Sequence, residues 1–226
     1  MNYYYNKCIL ILSVILFCCW GQHLFARTQN DSNLIRIKYI EAINSKNKLT
    51  EIPIVNERIT SNGKTSTFEN FHYRVIIQEI DRGYFTEING ELENLQNGNS
   101  CLTLRVSFPQ NGKTWKWYHG LEKSETMKAY TAYYDTVSAT TVLPPDGAFN
   151  GKTLSDGGYG DRVGQGSMSF YPLSAVGIDG KGESLGIDLS VPIVYRLGAS
   201  INEGLFAEFD IATSPLTDKF PNRAFF

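Results

Sequence analysis

Flat aromatic rings and carboxylates at strand spacing are the side chains in this sequence whose types point to chemistry. Trp115-Lys116-Trp117-Tyr118-His119 crowds three large rings and an imidazole into five residues. In an extended strand Trp115 and Trp117 share one face. Rings on an exposed sheet face stack on sugars, whereas the same spacing on a buried face packs two indoles into a core. A second segment, 155–166, reads SDGGYGDRVGQG. Its five glycines exclude a regular strand. Tyr159, Asp161, Arg162 and Gln165 supply polar contacts there, and a loop of this kind over a rigid sheet is a common place for binding. Trp115, Trp117, Tyr118, Tyr159, Asp161, Arg162 and Gln165 are therefore the candidate carbohydrate contacts.

Other chemistries find less support. Beyond the leader described below, the chain has two histidines, His72 and His119, and one cysteine, Cys101, with no pair at ligand spacing. No metal site is assigned on that basis. His72 lies in a strand pattern and suits a half-buried structural role. Cys101 opens the alternating run CLTLRVSF and suits a buried apolar role. There is no G-x-S-x-G elbow. Gly158, Gly160 and Gly164 have the spacing G-x-G-x-x-x-G with no βαβ unit around them, so a dinucleotide loop is rejected. Glycoside hydrolysis needs two carboxyl groups about 5–10 Å apart across the scissile bond. Glu87, Glu91 and Glu93, or Glu208 and Asp210, are the available sets. Each set lies on one face of one strand, where acids are ordinary solvated residues. No catalytic residue and no cofactor is assigned.

The elements that must position these residues are strands. The runs 71–80, 101–108, 136–142, 167–173, 192–198 and 205–211 alternate with period two and are rich in β-branched and aromatic residues. Asn-Gly occurs at 62–63, 89–90, 97–98, 111–112 and 150–151, and Asp-Gly at 146–147, 156–157 and 179–180. Such pairs favour two-residue hairpin turns. The best helical candidate, 120–132, lacks a continuous apolar face. The expectation is an all-β, antiparallel β-sandwich.

Residues 1–26 have the layout of a secretory signal peptide. Lys7 precedes an apolar run, 8–20, broken only by Ser13, and Ala26 is the cut point. The run is short for a membrane span, which needs about 20 residues. Lipid attachment at Cys18 or Cys19 is an alternative, although Phe17 is larger than the residue that normally precedes a lipidated cysteine. The expected location is secreted, periplasmic or cell-surface. Membrane contact is expected only with a lipid or an uncleaved leader. The polar stretch 27–33 follows, and 34–226 is the sandwich domain. A boundary near Pro144-Pro145 is the alternative to one domain.

The whole chain has 226 residues, 42% hydrophobic, with net charge −2 and pI near 5.9. Three of its four cysteines lie in the leader, so the exported domain has no internal disulfide and depends on core burial. No basic patch suits nucleic acid. The C-terminus ends in Phe225-Phe226, where most domains end in a polar tail. Phe206, Phe209, Phe220, Phe225 and Phe226 are expected to await cover by a following strand or domain, which would leave the sandwich incomplete at 226. An outer-membrane barrel strand is disfavoured because Pro221, Asn222 and Arg223 interrupt the alternation.

The C-terminal third resembles the β-sandwich portion of large secreted bacterial glycoside-hydrolase-like proteins. The resemblance covers 160–226, through Gly164, Gly166, Met168, Tyr171, Pro172, Leu173, Tyr195, Arg196, Gly198, Glu208, Phe209, Asp210, Ser214, Pro215, Phe220, Pro221, Asn222 and Arg223. It implies a non-catalytic module that contacts glycan or packs against a downstream catalytic region. A self-contained polysaccharide hydrolase or lyase, and a surface adhesion or structural protein, are the alternatives.

Overall fold

The computed structural model describes residues 35–41, 49–109, 116–119, 123–129, 131–134, 140–142, 172–178, 181–216 and 221–226. The signal-peptide region, the polar leader, the Pro144-Pro145 boundary and the loop 155–166 lie outside them. Among the described residues there are strands and no helix.

The strands are β1 (Arg36–Glu41), β2 (Thr50–Ile52), β3 (Ile54–Thr60), β4 (Gly63–Glu69), β5 (Tyr73–Asp81), β6 (Thr86–Asn94), β7 (Ser100–Phe108) and β8 (Lys116–His119). They continue with β9 (Lys123–Thr126), β10 (Thr131–Tyr134), β11 (Thr140–Val142), β12 (Leu173–Ile178), β13 (Lys181–Gly186), β14 (Val194–Ser200), β15 (Gly204–Thr213) and β16 (Arg223–Phe225). A seven-stranded sheet has the order β11-β10-β14-β15-β7-β1-β2, a five-stranded sheet β16-β6-β5-β4-β3, and a four-stranded sheet β13-β12-β8-β9. All strand pairs are antiparallel.

Alternation explains where the core sits. On the seven-stranded sheet Ile37, Leu104, Val106, Leu197, Ala207 and Phe209 point to one side. From the five-stranded sheet Phe68, Val75, Ile77 and Leu92 meet them in one buried cluster. Each fully buried side chain of this kind contributes about 1.5–3 kcal/mol of transfer free energy. Tyr39 and Tyr73 join the two sheets edge to face, with centroids 4.8 Å apart. The four-stranded sheet packs Trp117 and Val176 against Tyr133, Ala199 and Leu205 of the larger sheet.

Several expectations shift. Asn89-Gly90 is not a turn but mid-β6, where Gly90 and Phe226 exchange backbone hydrogen bonds of 2.8 and 2.9 Å. The helical candidate 120–132 contains β9 and the start of β10 instead. Most of the strand expected over 167–173 lies outside the described residues, and β12 runs over Leu173–Ile178. Phe206 and Phe209 are buried within the domain, and Phe226 packs on Phe209 at 4.8 Å between centroids. Only Phe225, at 66% exposed, still stands out at this edge among the described residues of that group.

Candidate functional site

Two sites emerge from the strand register, one buried and one open. The buried one lies on the face of the seven-stranded sheet opposite the main core. Lys38 of β1 is the register partner of Arg105 in β7, Arg105 of Glu208 in β15, and Glu208 of Arg196 in β14. A charged row thus crosses four strands. Glu203, from the turn between β14 and β15, bridges Lys38 and Arg105. Arg105 places Nε 3.0 Å and Nη2 2.5 Å from Glu208 Oε1. Arg196 Nε donates to Glu208 Oε2 at 3.1 Å, and its two Nη groups grip Asp210 at 2.5 and 2.9 Å. Thr103 Oγ1 donates to Asp210 at 2.7 Å. The Arg105 guanidinium also sits 4.1 Å from the Phe206 ring centroid.

Arg105 and Glu208 are 0% exposed. Burial pushes the Glu208 carboxyl up, but Arg105 and Arg196 outweigh it and hold it below its ordinary range. The same contest between burial and the Arg105 and Lys38 cations leaves Glu203 lowered. A general acid needs the opposite perturbation, a pKa raised toward the working pH. Glu208 and Asp210, read from sequence as a potential carboxylate pair, are instead held by arginines. The Glu87, Glu91 and Glu93 set is also engaged by cations. Arg82 binds Glu87, Arg223 binds Glu91, and Arg223 and Arg74 bind Glu93.

A third polar group surrounds Tyr73. Its hydroxyl donates to Glu41 at 2.9 Å and lies 2.5 Å from Ser100 Oγ. Gln96 donates to the same phenol at 3.0 Å. His72 stands half exposed with Nδ1 3.6 Å from Glu41. Burial pushes the Tyr73 phenol up, so it stays neutral and is no base for Ser100.

The open site is the outer face of the four-stranded sheet. Trp117 pairs with Val176, and its ring is 1% exposed on the inner face, with Nε1 donating to Ser174 at 3.0 Å. This corrects the expectation that Trp117 is a carbohydrate contact: its stacking face is spent on the core. Tyr118 is one residue on and therefore points outward, 44% exposed. Across the sheet Tyr118 is opposite Ser124 and Ala175, Lys116 is opposite Thr126 and Gly177, and Ala175 is opposite Ser184. Gly182 and Gly186 fall on the same face. A β-carbon built at Gly177 would lie 3.1 Å from Tyr118 Cε2 and 3.6 Å from its Oη, so the ring passes directly over the glycine. The result is a low floor carrying one aromatic ring, the exposed side chain of Leu173, the hydroxyls of Ser124, Thr126 and Ser184, and Lys116.

Of the seven sequence candidates, Tyr118 is exposed and Trp117 is buried, while Trp115, Tyr159, Asp161, Arg162 and Gln165 lie outside the described residues. The backbone of His119 lies in β8. Sequence reasoning missed Lys116 and the glycine floor. The signal was present in the glycines at 177, 180, 182 and 186, since glycines are weak strand formers and mark close approach when they occur inside a strand. Cys101, expected to be buried, is exposed near the start of β7. It pairs there with Ala212, itself exposed, beyond the covered part of the sheet.

Compared with known proteins, the chain matches no protein-family model, no curated protein and no solved structure. Among the described residues behind the glycoside-hydrolase-like resemblance, five have clear structural duties. Tyr195 and Phe209 are core, and Arg196, Glu208 and Asp210 belong to the charged row.

Proposed function

We propose that this chain is an exported, non-catalytic β-sandwich module of a glycoside-hydrolase-like protein, and that it contacts carbohydrate through the outer face of the four-stranded sheet. The observation that carries this reading is the exposed Tyr118 ring lying over Gly177 and flanked by hydroxyl side chains. A flat ring offers apolar area at low entropic cost, and neighbouring hydroxyls supply the hydrogen bonds that orient a polar ligand. The sequence resemblance and the leader at 1–26 support the carbohydrate setting and the export. A downstream catalytic region is the second partner the resemblance implies, and the exposed Phe225 on edge strand β16 is the surface assigned to it.

Glycan-array binding of the full chain and of Tyr118→Ala tests the reading. Binding to at least one polysaccharide class, weakened tenfold or more in the variant, is expected. Turnover of a bound polysaccharide would favour the self-contained hydrolase or lyase. Absence of any Tyr118-dependent binding would favour the adhesion or structural alternative.

A further inference from the structure

The charge on the Tyr118 face is one-sided. Strand pairing puts Lys116, Tyr118, Ser124, Thr126, Ala175, Gly177, Gly182 and Ser184 on it, and the carboxylates of these strands, Glu125 and Glu183, are opposite Trp117 and Val176 on the other face. Lys116 is exposed, and neither carboxylate of the four described strands of this sheet shares its face. Lys116 and Tyr118 are two residues apart on β8, a separation of about 7 Å along a strand. A sugar stacked on the ring therefore holds its exocyclic substituent within reach of the lysine. The Tyr118 ring itself covers Gly177, opposite Lys116, and Gly182, opposite Gly177, adds no side chain beside it.

Resting on the carbohydrate reading above, we infer that the ligand of this face is an anionic glycan of the uronate type, its ring stacked on Tyr118 and its carboxylate paired with Lys116. The net charge of −2 gives no long-range attraction to a polyanion. The ion pair is local and exposed, so its contribution falls with added salt.

The probes are polygalacturonate, alginate and hyaluronan, each beside its carboxyl-reduced neutral form, in affinity electrophoresis of the full chain at low and high salt. At least one acidic polymer should bind about tenfold tighter than its reduced form at low salt. Lys116→Gln should remove that preference and Tyr118→Ala should weaken binding to both forms. Arg58→Gln, which removes an exposed cation on β3, should leave the preference intact. Equal affinity for the acidic and reduced forms, or a preference that survives Lys116→Gln, would overturn the uronate assignment while Tyr118-dependent binding upheld the carbohydrate reading. Loss of all Tyr118-dependent binding, to these polymers and to neutral glycans alike, would overturn both.

Discussion

Glu208 is the residue on which the buried charged row depends. It is shared by two arginines, and removing its charge leaves Arg105 and Arg196 short of a counterion in a dry environment. Breaking such a pair costs about 3–5 kcal/mol. Glu208→Gln should therefore lower stability by about that amount in a denaturant titration, far more than Glu87→Gln at an exposed pair. A difference below about 1 kcal/mol between the two would contradict the role assigned to the row. The row also sets a pH dependence. The folded carboxyls of Glu203 and Glu208 titrate below the ordinary range, so their stabilisation is present above the unfolded value of about 4.3 and is lost as pH falls through their folded values. Acid unfolding followed by circular dichroism should show a steep loss below pH 4.3, reduced in Glu208→Gln relative to its own neutral-pH stability. At this scale the sequence was half legible. Glu208 and Asp210 stood out as a pair, but Arg105, a partner of Glu208, lies 103 residues earlier, a separation that only the strand order closes. Period-two spacing also placed neighbouring rings on opposite faces without saying which face is inside, so of the two candidate contacts Trp117 and Tyr118 only Tyr118 stays exposed.

Strands rich in β-branched and aromatic residues were the most legible elements. The expected runs 71–80, 101–108, 192–198 and 205–211 coincide closely with β5, β7, β14 and β15, four of the inner strands of the two larger sheets. Polar strands were not visible. β3 reads IVNERIT, is exposed at every residue, and exists because β4 pairs with it. It carries Ile59 at 80% exposure on a free edge. An irregularity between Ile54 and Asn56, and the charges of Glu57 and Arg58, blunt that edge against further pairing. Within β14 one glycine is required by close approach. A β-carbon at Gly198 would lie 2.6 Å from both Phe206 Cζ and the Tyr133 carbonyl oxygen. Overpacking of this kind costs about 1–3 kcal/mol. Gly198→Ala should lower the thermal midpoint by several degrees, and an unchanged midpoint would show that the β14–β10 contact is looser than described.

Across the whole molecule, the all-β antiparallel architecture follows from alternation, turn residues and the lack of an amphipathic helical stripe. What alternation could not convey is the division of labour among three sheets. Two of them enclose the main core, and the third closes one flank with Trp117 while turning Tyr118 outward. Carbohydrate is proposed to bind on this outward face. Nuclear magnetic resonance of the full chain with an oligosaccharide chosen from the array tests it most directly, by saturation transfer from the tyrosine rings and amide shift mapping. Transfer from Tyr118 and shifts confined to β8, β9, β12 and β13 are expected, both lost in Tyr118→Ala. Shifts centred on Glu41, His72 and Ser100, or on the β16 edge, with Tyr118 unperturbed, would contradict it.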